Sequence, residues 1–194
     1  KWKSNSPIQH SEFLSRETAR KRYWTRSYSG WPNVAYAKPN NGHKSLVRLE
    51  SKGYISTLAT QNVDRLHQKA GHKRVTDLHG RLDQVVCMDC GLLSSRHEIQ
   101  AWLKKYNPYI AQMKVPKSLL RPDGDAEVSI ELVEKLKVPE CNRCNGLLKP
   151  NVVFYGSTVN KEVVNYLFDQ LRKAKALLIV GTSSLFTYCI QTIF

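Results

Sequence analysis

The chain has 194 residues, 41% of them apolar, and a formal net charge of +14. That length suits one or two domains, and the apolar content in periodic segments excludes a disordered tail. No apolar run reaches membrane-spanning length, the longest being Ala176 to Gly181. The positive charge makes nucleic acid a candidate partner. Its densest cluster, however, follows no recognition-helix or ribonucleoprotein pattern. Arg16, Arg20, Lys21, Arg22 and Arg26, interleaved with Tyr23 and Trp24, read instead as a solvated basic helix face. The chain opens on Lys1 with no signal-like or transit-like segment, and is expected to be a piece of a longer protein.

Residues 10–30 are helix-compatible and reach Ser29-Gly30-Trp31-Pro32, where the helix is expected to end. A polar loop, Lys38 to Gly42, leads into a helix over 43–52, stopped by Gly53. Tyr54 to Thr60 is a short apolar, β-branched run and reads as a buried strand, followed by a short helix to Gly71. Residues 85–147 form an insert opened and closed by cysteine pairs, with helices over 95–106 and 128–137 and a loop from Pro108 to Gly124. Pro150 to Tyr155 reads as a second buried strand. A helix over 160–174 follows, with Val163, Val164, Leu167, Phe168 and Leu171 on one face. Ala176 to Val180 reads as a third buried strand, ended by Gly181-Thr182-Ser183.

Apolar strands alternating with helices imply a parallel sheet covered on both faces. The expected fold is therefore α/β: an incomplete Rossmann-like sheet from residues 1–84 and 148–194, with a small zinc-ribbon insert between. Ligands on such sheets gather at the carboxyl ends of strands, where Gln61-Asn62 and Gly181-Thr182-Ser183 fall.

Five cysteines are present, four of them in two C-x-x-C pairs: Cys87 with Cys90, and Cys141 with Cys144. A C-x-x-C turn aims two thiolates at one ion, so two turns complete a tetrahedral zinc site with no open position. Such a site is structural, and it fits a reducing compartment better than a disulfide framework does. The alternatives are four unliganded cysteines and, behind that, a redox role for a C-x-x-C pair. Cys189 reads as a small buried apolar residue.

The second signal is Thr60-Gln61-Asn62-Val63-Asp64-Arg65-Leu66-His67, followed by Leu78-His79-Gly80. Polar groups at a strand end can hold a ribose and an amide, or they can form a capped strand-to-helix turn with Asn62 or Asp64 as the cap. Spacing alone does not separate the two.

Together these segments resemble the sirtuins. T-Q-N-x-D-x-L-H, L-H-G, two C-x-x-C pairs, Lys149-Pro150-Asn151-Val152-Val153-Phe154-Tyr155-Gly156 and Gly181-Thr182-Ser183 occur in that family's order. Pro7-Ile8-Gln9-His10, Arg22-Tyr23-Trp24, Gly30-Trp31-Pro32 and the long insert with Arg121 to Asp125 look like the class II, sirtuin-four type found in the mitochondrial matrix. The resemblance implies an NAD-dependent protein-lysine deacylase or ADP-ribosyltransferase, acting on acylated lysines of protein substrates, with one structural zinc ion. It implies that His79 is the general base for the nicotinamide ribose, a role that suits a group titrating near neutrality. Gln61 and Asn62 would hold the ribose, with Val63 in the same loop and Asp64 on the nicotinamide amide. Gly181, Thr182 and Ser183 would approach the adenosine, and Phe154, Tyr155 and Gly156 would border the acyl-lysine groove. Tyr23-x-x-Arg26 is similar to the pair by which the desuccinylase branch reads acidic acyl groups, the competing reading being the solvated basic face.

In that family a glycine-rich phosphate loop precedes the segments matched here, and Ser184 to Cys189 fits the run after G-T-S poorly. Residues 1–194 by themselves are thus expected to be catalytically incompetent. A zinc-ribbon nucleic-acid module accounts for the charge and the cysteines but leaves Thr60 to His67 and His79 without a role.

Overall fold

The computed structural model of the chain describes residues 7–112 and 130–181. Helix α1 (His10–Ser15) turns at Arg16 into α2 (Glu17–Tyr36), which runs through Gly30 and Pro32 instead of ending there. A proline inside a helix removes the hydrogen bond to the carbonyl four residues back. That carbonyl belongs to Tyr28, and it accepts instead from Gln100 Nε2 at 2.9 Å. Arg96 Nη2 adds bonds to the Ser27 carbonyl at 3.2 Å and to its hydroxyl at 3.1 Å. Both donors lie on α5 (Arg96–Tyr106), so the interruption of α2 is compensated from another element.

The basic cluster is not a wholly solvated face. Trp24 is fully buried and Arg26 is 6% exposed. Arg20 bonds the Phe13 and Leu14 carbonyls at 2.9 Å, and Arg22 pairs with Glu12 at 3.2 Å. Arg96 is 1% exposed, with its guanidinium 5.5 Å from the Trp24 ring and 5.3 Å from the Trp31 ring. A desolvated contact of this kind is worth about 2 kcal/mol, more than a typical exposed ion pair. The two tryptophans thereby tie α2 to α5.

Helix α3 (Asn41–Ser51) starts at an Asn40 cap that accepts from the His43 amide at 3.1 Å. Strand β1 (Leu58–Thr60), helix α4 (Leu66–Ala70) and strand β2 (Val75–Asp77) form a crossover unit in which the strands pair in parallel, Leu58 opposite Val75 and Thr60 opposite Asp77. A second sheet has the order β4-β3-β5, from β3 (Gly80–Cys87), β4 (Leu93–Ser95) and β5 (Leu148–Val152), both neighbours antiparallel to β3. Its inner face buries Val85, Leu148, Ile99, Leu103, Ile110 and Leu136 together with Trp24 from α2. The Ser95-x-x-Glu98 capping box starts α5 beside this core. Short helix α6 (Ile130–Glu134) and helix α7 (Lys161–Lys173) complete the described elements, apart from a 3-10 turn over Pro108–Gln112.

Two strand expectations are corrected. The run expected over 150–155 is β5 at 148–152, and it pairs antiparallel with β3 rather than joining the parallel sheet. An apolar run specifies burial, not pairing direction. Residues 176–180 form no strand, and Leu177, Leu178, Ile179 and Val180 are 51–71% exposed. A strand exists only where it finds a ladder partner, and among the described residues this run has none. The apolar face of α7 is half-buried, as its spacing implies, and Gln170 meets Thr57 just before β1. Arg121 to Asp125, Thr182, Ser183 and Cys189 lie outside the described residues. None of the described helices is long and apolar enough to cross a membrane.

Candidate active site and metal centre

Strand β1 ends at Thr60, whose carbonyl accepts from the Leu78 amide at 2.8 Å and whose hydroxyl accepts from the Asn62 amide at 3.1 Å. The chain then turns through Gln61 to Arg65. Neither Asn62 nor Asp64 is the helix cap, which is Arg65; Asp64 instead closes a turn before α4, its Oδ1 accepting from the Leu66 amide at 2.9 Å. Arg65 adopts a φ of 64° and pairs with Asp77, which also accepts from Gln68 at 2.8 Å. Val63 is pinned from the other side: its carbonyl accepts from the Leu82 amide at 2.9 Å, and its side chain packs on the Trp31, Val34 and Leu82 cluster. Gln61 and Asp64 are half-buried and Asn62 is exposed, so the turn presents polar groups at the carboxyl end of β1.

His79 stands just before β3. Its carbonyl accepts from the Val153 amide at 2.9 Å, which extends the β3–β5 ladder one step toward Phe154. Gly80 has a φ of 80°, and a Cβ there would lie 2.2 Å from the Asn151 carbonyl oxygen. Only glycine lets the two strands approach this closely. Burial lowers the His79 imidazole below its ordinary value, and a hydrogen bond with the Gln61 main chain partly offsets that. The side chain is therefore neutral at neutral pH and joined to the Thr60–Asp64 turn.

Beyond β5, Phe154 meets Phe13 edge-on at 5.2 Å and Tyr23 at 5.4 Å. Tyr155 is exposed, but its carbonyl accepts from the His10 amide at 2.8 Å, and Gly156 follows with a φ of 75°. Tyr23 thus meets Phe154, and Arg26, three residues further along α2, is buried. Gln61, His79 and Val153 are joined directly, and Tyr23 reaches the same segment through Phe154. Gly181 has a φ of 69° and is exposed, away from these contacts.

The other end of the same ladder carries the cysteines. Cys87 closes β3, and its amide and carbonyl bond the Leu92 carbonyl and the Gly91 amide at 2.9 and 3.0 Å. In the second turn Cys141 makes the equivalent bonds with Gly146 and Asn145 at 2.9 and 2.8 Å. Gly146 serves close approach, since a Cβ there would meet Asp89 Oδ2 at 2.1 Å. Asp89 locks the turns together by accepting from the Leu147 amide at 3.0 Å. The sulfurs of Cys87 and Cys144 are 3.5 Å apart, those of Cys90 and Cys141 are 3.7 Å apart, and all four lie within 4.8 Å of one another. Zinc–sulfur bonds of ~2.3 Å in a tetrahedron require sulfurs ~3.8 Å apart. The Leu92 main-chain bond draws the Cys90 thiol down to about 6, while the hydrogen bond to Cys90 pushes Cys144 up to about 12. One thiolate thus holds its neighbour protonated, and a dication is what allows all four to ionise. The set is arranged to hold one structural zinc ion.

Lys149 was not singled out by sequence reasoning. Its signal is a cation inside the run Leu147-Leu148-Lys149-Pro150-Asn151-Val152, and the structure buries it to 6% exposure. Arg96 was missed as well, because nothing local marks an arginine that will sit between two distant tryptophans.

Purified protein should carry about one zinc per chain by elemental mass spectrometry. Cys141→Ser and Cys144→Ser should each lose most of it, whereas Cys189→Ser should keep it. Full zinc occupancy in both ligand variants would contradict the site.

The Sir2 family model matches residues 2–187. NAD-dependent protein deacetylase 2 of Bradyrhizobium diazoefficiens is 47% identical over 182 residues, covering 94% of this chain and 66% of that protein. NAD-dependent protein deacylase Sirt4 of Drosophila melanogaster is 39% identical over 182 residues, covering 94% of this chain and 57% of that protein. The chain thus spans less than two thirds of the length of these relatives. A solved structure from work on the basis of sirtuin substrate affinity superposes with a TM-score of 0.70 at 26% identity, over 98% of this chain and 65% of that one. The likeness extends to the α/β, Rossmann-like fold, of which β1 and β2 form the described parallel pair. The chain belongs to the Sir2, or sirtuin, family.

Proposed function

We propose that the protein acts as an NAD-dependent protein-lysine deacylase. The observation that carries this reading is the link between the His79 imidazole and the Gln61 main chain, on a strand whose neighbour leads into Phe154. It joins a base, a polar strand-end turn and an aromatic groove wall in one connected unit. The Bradyrhizobium and Drosophila relatives, by name a deacetylase and a deacylase that depend on NAD, support it.

NAD, when bound, supplies an anomeric carbon that accepts the acyl oxygen and releases nicotinamide. The residues of this chain fit such a molecule. Gln61 and Asn62 offer amides to the ribose from the carboxyl end of β1, and Val63 anchors their loop. Asp64, its Oδ1 held by the Leu66 amide, would receive the nicotinamide amide. His79, neutral at neutral pH, takes the proton of a ribose hydroxyl at its free ring nitrogen. The family resemblance assigns Gly181, with Thr182 and Ser183 outside the described residues, to the adenosine side. Phe154, Tyr155 and Gly156 border the acyl-lysine groove, where a substrate peptide adds as a strand.

For the acyl group, we read Tyr23 and Arg26 as a pair for acidic chains. The support is that Tyr23 packs on Phe154 and that Arg26 is buried one helical turn further on. A buried guanidinium binds a carboxylate with both its N–H groups. The sirtuin-four type rests on the N-terminal motifs and on the Drosophila relative. The mitochondrial location expected with it is not supported by the comparisons, since relatives of higher identity are bacterial.

In the full-length protein, His79→Tyr should lower NAD-dependent deacylation ~10²–10⁴-fold, the usual loss on removing a general base, with zinc retained. The wild-type rate should fall on the acid side with a midpoint below ~6.5, because the neutral imidazole is the active form and its pKa is lowered. Near-normal turnover by the variant would remove His79 from the chemistry.

A companion assay compares acetyl- and glutaryl-lysine peptides. Arg26→Ala should weaken the glutaryl reaction alone, by roughly 1.5–3 kcal/mol for a charged hydrogen bond. Equal losses on both peptides, or none, would discard the acidic-acyl reading.

A further inference from the structure

Lys149 is the buried cation that the mechanism above does not use. It is 6% exposed and sits on β5 opposite Val86. Its Nζ donates to the Pro150 carbonyl at 3.1 Å and to the Val152 carbonyl, and it lies 4.6 Å from the centroid of the Phe154 ring. The same ring is held edge-on by Phe13 and packs against Tyr23. Phe154 is thus fixed by two aromatic rings and one ammonium, and the ammonium also closes the chain between β5 and Phe154.

We propose that Lys149 is a positioning residue for acyl-lysine binding, its ammonium charge setting the orientation of the Phe154 ring that borders the groove. The inference rests on the deacylase reading of that groove. Attraction between a cation and a ring face requires the positive charge, and deprotonation also removes one of the three N–H donors.

The titratable groups around Lys149 leave it to respond on its own. On β3, Arg81 and Asp83 pair with each other at 2.6 Å, and Cys87 follows Val86, opposite Leu148. Helix α2 brings Tyr23 and Arg26, and the segments flanking the ladder bring His79 and Tyr155. No carboxylate among the described residues forms an ion pair with Lys149. Burial alone lowers its pKa to about 8.

Between about 8 and the ordinary lysine value of ~10.4 the folded protein has released this proton and the unfolded chain still holds it. Folding stability from this group therefore rises with pH in that window. Substrate binding should fall in the same window. A lysine with a merely structural role would not move the two in opposite directions.

The test uses full-length protein, an acetyl-lysine peptide and NAD between about pH 7 and 9.5. Wild-type KM for the peptide should rise roughly fivefold through pH ~8, as loss of about 1 kcal/mol implies, with kcat nearly constant. Lys149→Arg should keep KM flat, and Lys149→Met should start with the raised KM. With 4-fluorophenylalanine incorporated, the ¹⁹F resonance of Phe154 should titrate near pH ~8 in wild type and stay fixed in Lys149→Arg. The same alkaline rise in the arginine variant, or a Phe154 resonance that does not titrate while turnover is normal, overturns the role of Lys149 alone. A wild type that never turns over the acyl peptide overturns the deacylase reading and this inference with it.

Discussion

The antiparallel pairing of β3 with β5 is the interaction on which both ends of the site depend. At one end Cys87 faces Leu148, and the two cysteine turns close around four sulfurs. At the other, Gly80 faces Val152, and the ladder runs on to the bond between His79 and Val153. β3 has eight residues but its neighbours β4 and β5 only three and five, and so small a sheet depends on packing for its stability. What sustains this one is the core beneath it and a metal clip at its far end, which contributes folding free energy directly. The register shifts between Gly80 and Val85, so the two ends share the same strands but not one continuous pairing. Gly80 is its most sensitive point, because any Cβ there would enter the Asn151 carbonyl.

A second constraint sets what faces the ladder. Helix α2 carries Tyr23 and Arg26 but contains Gly30 and Pro32, and its hydrogen bonding is completed from α5 by Gln100 and Arg96. Arg96, held between Trp24 and Trp31, remains cationic although burial lowers it to about 10. Because Trp24 lies in the same core as Val85 and Leu148, the position of α2 over Phe154 follows from the packing of the metal-bearing sheet. Tyr23 and the cysteines Cys87, Cys90 and Cys141 thus share one core even though they are far apart in the chain.

What was legible in the sequence is what local chemistry dictates. The two C-x-x-C turns and the helix over 95–106 each satisfy demands met within a few residues. The helical face of α7 and the short strand before Gln61 follow from periodicity. What was not legible depends on partners distant in the chain. Pro32 reads as a stop unless Gln100 is known to serve the Tyr28 carbonyl. Lys149 carries no local signal of burial, because the Phe154 ring that its ammonium meets lies beyond the strand. The run at 150–155 shows its apolar character but not the antiparallel neighbour it takes, and the run at 176–180 reads as a strand although the described residues give it no partner.

The cysteine cluster and the candidate site lie at the two ends of the β3–β5 pairing, on either side of the register shift between Gly80 and Val85, and are coupled through it. Amide hydrogen exchange on the full-length protein, with zinc bound and after chelation, tests it most directly. The account predicts that the Val153 and Leu82 amides, which bond His79 and Val63, lose protection together with those of Cys87 and Met88 when zinc is removed. Val153 and Leu82 retaining full protection while Cys87 and Met88 open would contradict it.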